Sequence, residues 1–359
     1  MTMQSSSLQH TVRISVIVPV RNGRLHLARC LEALTRSEYS DFEVIVVDDC
    51  STDTTPEIAD RYGARRLRTP RTVGPGGARN LGAQQAQGEI LVFIDSDVVV
   101  PPETLSLLAK DFSRNPDIAA VFGSYDDTPA WPTFISQCKN LMHHYVHQIS
   151  SESPVTFWAG CGAIRKSVFD EAGGFDEAKY TLPSIEDIAL GLQLTQNGRR
   201  IFLDKRIQVK HLKRWSFQNL LRADIFYRAI PWSQLILKTR HLPLDLNLKY
   251  SSRISSLLVG LALVVCGLMA LNLSGLLRIP LLPLFATLAF LVILLLALNW
   301  ATYRFFHQKR GLWFAARAVV FHWLYYLYSG VTFFCCAALY FARLPFASEH
   351  NANTLTPGD

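Results

Sequence analysis

Residues 74–100, GPGGARNLGAQQAQGEILVFIDSDVVV, decide the fold. The stretch opens on a glycine-rich turn, Gly74-Pro75-Gly76-Gly77, where the missing Cβ lets backbone approach a ligand. The spacing predicts a short helix over 78–87, closed by Gly88 as a C-terminal cap. Ile90-Leu91-Val92-Phe93-Ile94 is then a continuous apolar run of strand length. It delivers Asp95-Ser96-Asp97 to its carboxyl end, where ligands sit in open α/β sheets. Two carboxylates one residue apart suit a hard divalent cation with oxygen ligands. Alone, the tripeptide is an ordinary polar turn. The strand before it and the glycines upstream favour a site.

Working outward, residues 14–20 (ISVIVPV) and 42–47 (FEVIVV) are apolar and β-branched enough for buried strands. Asp48-Asp49 ends the second. Helical spacing runs over 25–34. Pro56 and Gly63 bracket a second helix, and a third strand is expected near 64–68. Strand and helix alternate over short connections, which means crossovers and a mostly parallel, Rossmann-like sheet. Further on we expect a helix to about Arg114, a strand at 118–125 and a helix at 131–150 carrying His143, His144 and His147. Those histidines lack a nearby carboxylate or Cys partner, so they read as a polar helix face and not a metal site. A strand at 155–159 is expected next, followed by the turn Gly160-Cys161-Gly162 and a short helix from Arg165. Ser184 and Asp187 have capping-box spacing at the start of a helix that closes at Gly198. A last strand covers about 200–203.

Composition changes sharply past residue 216. Residues 217–237 are amphipathic and suit a membrane interface. Residues 254–277 and 279–303 contain no Asp, Glu, Lys, Arg or His, and 318–342 contain only His322. Each is long enough to cross a hydrocarbon core of about 30 Å. The resulting division is a disordered tail at 1–12, an α/β domain at 13–215, an interfacial segment at 216–252, a transmembrane domain at 253–343 and a tail at 344–359. The apolar spans also offer faces for packing against copies of themselves, which allows for a homo-oligomer.

The 36 Lys and Arg exceed the 29 Asp and Glu by seven, without a long basic block, so no nucleic-acid partner is expected. Seven cysteines contain no C-x-x-C pair, which fits a reducing cytosol without structural zinc. The first ten residues lack a basic start and an apolar core, so no cleaved signal peptide is expected.

Together, VIVPVRNG at 16–23, VVDDCSTD at 46–53, GPGGARNLG at 74–82, DSD at 95–97, FWAGCGAIRKSVFDEAGGFDE at 157–177 and EDIALGLQLTQNG at 186–198 resemble the family-2 glycosyltransferases of GT-A fold. The resemblance covers roughly residues 13–215. HLKRW at 211–215 is similar to the QxxRW signature of processive members, with His211 in place of Gln. That departure and the three spans speak against processive polymer synthesis.

The resemblance implies a nucleotide-sugar donor, most simply UDP-linked, and Mg²⁺ or Mn²⁺ as cofactor. It implies that Pro19, Val20 and Arg21 line the base, that Asp49 accepts from the uracil N–H, and that Arg79 reaches base or phosphate. Asp95 would hold the ribose, Asp97 the metal, with Asp95 and His211 as further metal contacts. Gly160, Cys161 and Gly162 would lie by the donor sugar and acceptor. Asp187, beside Glu186, would be the general base. His211, Arg214 and Trp215 would close over the diphosphate. The expected activity is inverting transfer to a hydroxyl of a membrane lipid or lipid-linked acceptor in the cell envelope. Two alternatives stand beside it: transfer to a polyprenyl phosphate, which needs no base, and a non-catalytic membrane module that keeps the fold.

Lys238, Arg240, Lys249 and Arg253 precede the first expected span, and Arg304, Lys309, Arg310 and Arg317 lie between the second and third. Only Arg278 and Arg343 flank the opposite side. The positive-inside rule places the α/β domain in the cytoplasm, on an inner (plasma) membrane, and the C-terminus outside. A reporter inserted beside Arg310 should be active only in the cytoplasm, and one fused after Asp359 only outside. A cytoplasmic signal from the second would remove one of the three spans.

Overall fold

The computed structural model describes residues 12–240 and 249–343. The expected tails at 1–12 and 344–359 fall outside these residues, apart from Val12, as does 241–248 of the expected interfacial segment. The chain divides into two compact units, one up to Phe217 and one from Gln218.

The first unit is built on eight strands: β1 (Ile14–Val20), β2 (Phe42–Asp48), β3 (Arg65–Arg68), β4 (Ile90–Ile94), β5 (Val98–Val99), β6 (Ile118–Tyr125), β7 (Cys161–Arg165) and β8 (Arg200–His211). Their order across the sheet is β3-β2-β1-β4-β7-β6-β8-β5. β1 pairs in parallel with β2 and β4, and β2 with β3. β7 runs antiparallel between β4 and β6, and β8 is parallel to β6 and antiparallel to β5. Seven helices complete the unit: α1 (Leu27–Thr35), α2 (Thr55–Arg61), α3 (Gly74–Gln85), α4 (Thr104–Arg114), α5 (Phe134–Ile149), α6 (Lys166–Ala172) and α7 (Glu186–Gln196).

The central strands are apolar on both faces because both faces are covered. Ile90, Val92 and Ile94 of β4 pack with Leu31 and Leu34 of α1 and Leu108 and Phe112 of α4. Leu91 and Phe93 point the other way, against Ala78 and Ala83 of α3, Phe169, Phe175 and Leu190. Alternate side chains of one strand thus serve two cores, and the carboxyl end of β4 is held rigidly between them.

Several elements differ from the sequence expectation. The glycines 74–77 are the first turn of α3 itself, not a turn before it. Gly74 starts that turn at φ +79°, and a Cβ there would lie 2.4 Å from the Thr181 carbonyl oxygen. Gly88 is not a helix cap, since α3 ends at Gln85 and Ala86 is already extended. A Cβ on Gly88 would meet the Ser15 nitrogen at 2.5 Å, so its role is close backbone approach to β1. No strand forms at 155–159. Phe157 and Ala159 are buried as core plugs on irregular backbone, and the strand begins at Cys161, inside the expected turn.

β8 continues far past Leu203, to His211, because Asp204 and Arg206 find partners. Arg206 bridges Asp204 at 2.7 Å and Asp111 of α4 at 2.9 Å. The three histidines of α5 do not form a polar outer face: His144 Nδ1 lies 2.8 Å from the Tyr125 carbonyl and His147 Nδ1 3.0 Å from that of Gly123, with both side chains buried. The capping box does not form. Ile185 is the N-cap of α7 without a side-chain cap bond, and the Ser184 N–H donates to Glu186 Oε2 at 3.0 Å.

In the second unit, α8 (Phe217–Arg222), a π-helical turn (Ala223–Ala229) and α9 (Ile230–Thr239) replace a uniform amphipathic helix. They are followed by α10 (Tyr250–Leu273), α11 (Leu281–Leu298), α12 (Trp300–Arg310) and α13 (Leu312–Phe341). α10, α11 and α13 are long and apolar enough to cross a membrane, with mean hydropathies of 2.5, 2.9 and 1.4. The second expected span is interrupted at Asn299, whose amide donates to Ser255 Oγ at 2.9 Å and accepts from Tyr326 Oη at 2.7 Å. Polar groups of three helices satisfy one another there, which tolerates a break in an otherwise apolar segment.

Candidate active site

The carboxyl ends of β1, β2 and β4 present Arg21, Asp48-Asp49 and Asp95–Asp97 along one edge of the sheet. Pro19 and Val20 are buried in β1, and Val20 packs into the first core, whereas Arg21 is exposed. The Asp49 carboxylate accepts from Thr69 Oγ1 at 2.8 Å, from the Val73 N–H at 2.9 Å and from the Gly74 N–H at 3.0 Å. It thereby fixes the loop that leads into α3. Asp48 is fully buried, and its Oδ2 has no hydrogen-bond partner.

Arg79 is the centre of the site. It projects from α3 with its guanidinium only 5% exposed. One nitrogen donates to Asp95 Oδ1 at 2.6 Å and the other to Glu186 Oε1 at 2.9 Å. Its ring-facing side lies over Phe175 at 5.6 Å. The backbone closes the loop between these groups. The Asp95 N–H donates to the Gly160 carbonyl at 3.1 Å, and the neighbouring Ala159 N–H donates to Asp187 Oδ2 at 3.0 Å. Asp95, Arg79, Glu186, Asp187 and the 159–160 backbone therefore form one continuous ring of contacts. Gly160 lies against the Trp158 indole, where an added Cβ would come within 2.4 Å. Cys161 and Gly162 continue into β7 as ladder partners of Ile94 and Phe93. Burial pushes the Cys161 thiol up to about 12, with Asp95 adding to the effect, so it is inert.

Asp97 faces His211, with Oδ2 3.4 Å from Nε2. Burial opposes ionisation of Asp97, but His211, Lys213 and His26 outweigh it and hold its carboxyl well below the usual range. Asp95 behaves oppositely: burial and then the Asp97 charge push it up, against Arg79. Asp187 is pushed up to about 6 by burial and by Glu186, against the N–H groups of Ala159 and Ile188 and the charge of Arg79. Such a carboxylate is ionised at neutral pH yet basic enough to accept a proton.

Arg214 lies over the Trp131 ring at 5.3 Å, and the Trp215 N–H donates to Ser136 Oγ at 2.9 Å. Sequence reasoning missed Lys213 and His26, which act on Asp97, and Asn140, which meets His211. Nothing in the local sequence marks His26 or Asn140. Trp158 sat inside a quoted motif and could have been singled out.

The donor set suits a divalent cation in part. Among the described residues no group of three or more His, Cys, Asp or Glu side chains could hold a metal ion. Asp97 and His211 face each other as a pair, and Asp95 is turned to Arg79. One carboxylate and one imidazole, with substrate phosphates to complete the shell, are what Mg²⁺ or Mn²⁺ takes in nucleotide sites.

A mostly parallel sheet with carboxylates at its strand ends, a facing Asp97 and His211, and a raised Asp187 bonded beside Gly160 is the arrangement of a GT-A-like fold. Residues 15–173 match the family model Glycosyl transferase family 2, and this part of the chain is a family-2 glycosyltransferase domain. The chain is similar to the poly(ribitol-phosphate) beta-N-acetylglucosaminyltransferase TarS of Staphylococcus aureus, with 39% identity over 102 residues, 26% of this chain and 18% of the relative. It is also similar to an uncharacterized glycosyltransferase of Haemophilus influenzae, with 29% identity over 195 residues, 51% of this chain and 62% of that one. It thus spans less than two thirds of the length of either relative. In fold it resembles the mannosyltransferase PcManGT of Pyrobaculum calidifontis, solved with GDP-Man and Mn²⁺, at a TM-score of 0.53 and 18% identity over 92% of this chain and 87% of that one.

Arg79 bonds Glu186, and its charge lowers the Asp187 pKa, so its removal should be legible in pH. As a base Asp187 would work ionised, so kcat/KM is expected to rise with pH through about 6. Arg79→Met takes away a charge that lowers the Asp187 pKa, so the acid limb should move to higher pH. Arg79→Lys should leave it near the wild-type position. An unmoved limb in Arg79→Met would separate Asp187 from the rate.

Proposed function

We propose that this chain is a membrane-bound, inverting glycosyltransferase. It moves a sugar from a nucleotide sugar, most simply UDP-linked, to a hydroxyl of a lipid or lipid-linked acceptor. The observation that carries this reading is Asp187, which accepts from the Ala159 N–H next to Gly160 and is pushed up to about 6 by burial and Glu186. A sugar or lipid hydroxyl is a poor nucleophile and needs such a base within reach. In the transfer, the acceptor oxygen forms the new bond to the anomeric carbon as the bond to the diphosphate oxygen breaks, and the hydroxyl proton passes to Asp187. Glu186 and Arg79 hold Asp187 and Asp95 at fixed separation. Asp97 and His211 would hold the divalent cation, which supplies charge neutralisation for the diphosphate leaving group.

A phosphate acceptor is already an anion and gains nothing from a base, so the raised Asp187 favours the hydroxyl acceptor over a polyprenyl phosphate. The apolar α10, α11 and α13 and the lysine and arginine flanks support placement in an inner membrane with the transferase domain on the cytoplasmic side. Acceptors dissolved in that membrane are the simplest substrates for such a protein.

Two treatments test this reading together. Chelation should abolish nucleotide release in the presence of acceptor membranes, and Mg²⁺ or Mn²⁺ should restore it. Asp187→Asn should cost about 10²–10⁴ in turnover while donor affinity stays near wild type. Near-normal turnover in that variant refutes the base and promotes the phosphate acceptor. Full activity in excess chelator removes the metal from the account.

A further inference from the structure

His211 ends β8 with its side chain 6% exposed, and both ring nitrogens face a partner. Nε2 lies 3.4 Å from Asp97 Oδ2, and Nδ1 lies 3.0 Å from Asn140 Oδ1. Asn140 sits on α5, and it is 3% exposed. Tyr125 stacks on the imidazole with centroids 4.2 Å apart and planes within 9°, so the ring is held between the two partners. α5 is tied a second time to the segment after β8, through Ser136 Oγ and the Trp215 N–H.

With Asn140 Oδ1 turned to the ring and Asn140 Nδ2 left without a hydrogen-bond partner, the oxygen accepts and Nδ1 is the nitrogen that carries hydrogen in this contact. A cation held at Nε2 would take the lone pair of that nitrogen and leave the ring hydrogen on Nδ1. That lone pair then points toward the Asp97 oxygen, and two such donors suit a shared cation between them. We infer that Asn140 is a positioning residue that sets the His211 tautomer for metal binding. The inference rests on the proposed use of Asp97 and His211 as the cation pair. The logic is that of metal-site histidines in general: the far ring nitrogen donates to an oxygen, and loss of that oxygen costs about 10–100-fold in metal affinity.

The test uses the full chain in detergent with saturating UDP. Mn²⁺ binding is titrated by electron paramagnetic resonance for the wild type, Asn140→Leu and Asn140→Asp. UDP affinity without metal checks that each variant is folded. Asn140→Leu should bind Mn²⁺ about 10–100-fold more weakly, and Asn140→Asp, which keeps an acceptor oxygen, should stay close to wild type. Equal affinity in Asn140→Leu, or equal losses in both variants, overturns the inference and leaves the metal site standing. No Mn²⁺ binding by the wild type overturns the metal site and the inference with it. Should Asn140→Leu fail to fold, ¹⁵N spectra of the wild-type ring with UDP and Mg²⁺ decide: hydrogen on Nδ1 supports the inference, and its absence there overturns it.

Discussion

The buried guanidinium of Arg79 is the constraint on which the site depends. It reaches Asp95 at the end of β4 and Glu186 at the start of α7, residues 16 and 107 positions away in the chain. A charge this deeply enclosed is expensive to desolvate, and a buried ion pair is a weak source of net stability. What it supplies is registration. The end of β4 and the start of α7 are locked to one cation, and neither carboxylate can relax without stranding a buried charge.

The sheet makes that lock useful. β1, β2 and β4 are parallel and bring three strand ends to one edge, while antiparallel β7 starts beside β4 at Cys161. The Gly160 carbonyl takes the Asp95 N–H, and the preceding N–H takes Asp187. A single reversal of strand direction therefore sets the proposed base against the proposed donor site. On the far side, β8 carries His211 to Asp97 because its charged middle, Asp204 and Arg206, is satisfied by Asp111.

These features were unequally legible in the sequence. The continuous apolar runs of β1 and β4 identified buried strands, since only a sheet covered on both faces tolerates them. The second half of β8 was hidden because Asp204-Lys205-Arg206 reads as a loop until the Asp111 partner is known. Phe157 and Ala159 misled in the opposite direction: their apolar character reflects burial on irregular backbone, not strand pairing. The histidines of α5 looked solvent-facing because sequence cannot show that β6 carbonyls await them. The candidate site residues Asp95, Asp97, Glu186 and Asp187 stood out by motif. The link of Asp95 to Glu186 through Arg79, and the contact of Asn140 with His211, arise only from chain segments far apart in sequence.

The central claim is that Arg79 couples the two halves of the site through Glu186. A double-mutant cycle of Arg79→Met and Glu186→Gln, read as nucleotide-sugar affinity of the full chain, tests it most directly. Contacting residues in one ion-pair network show coupling of about 0.5–3 kcal/mol. The account predicts that Glu186→Gln, though it lies on the acceptor side, weakens donor binding, and that the double variant loses clearly less than the sum of the single ones. Strictly additive losses, or a Glu186→Gln variant with unchanged donor affinity, would contradict it.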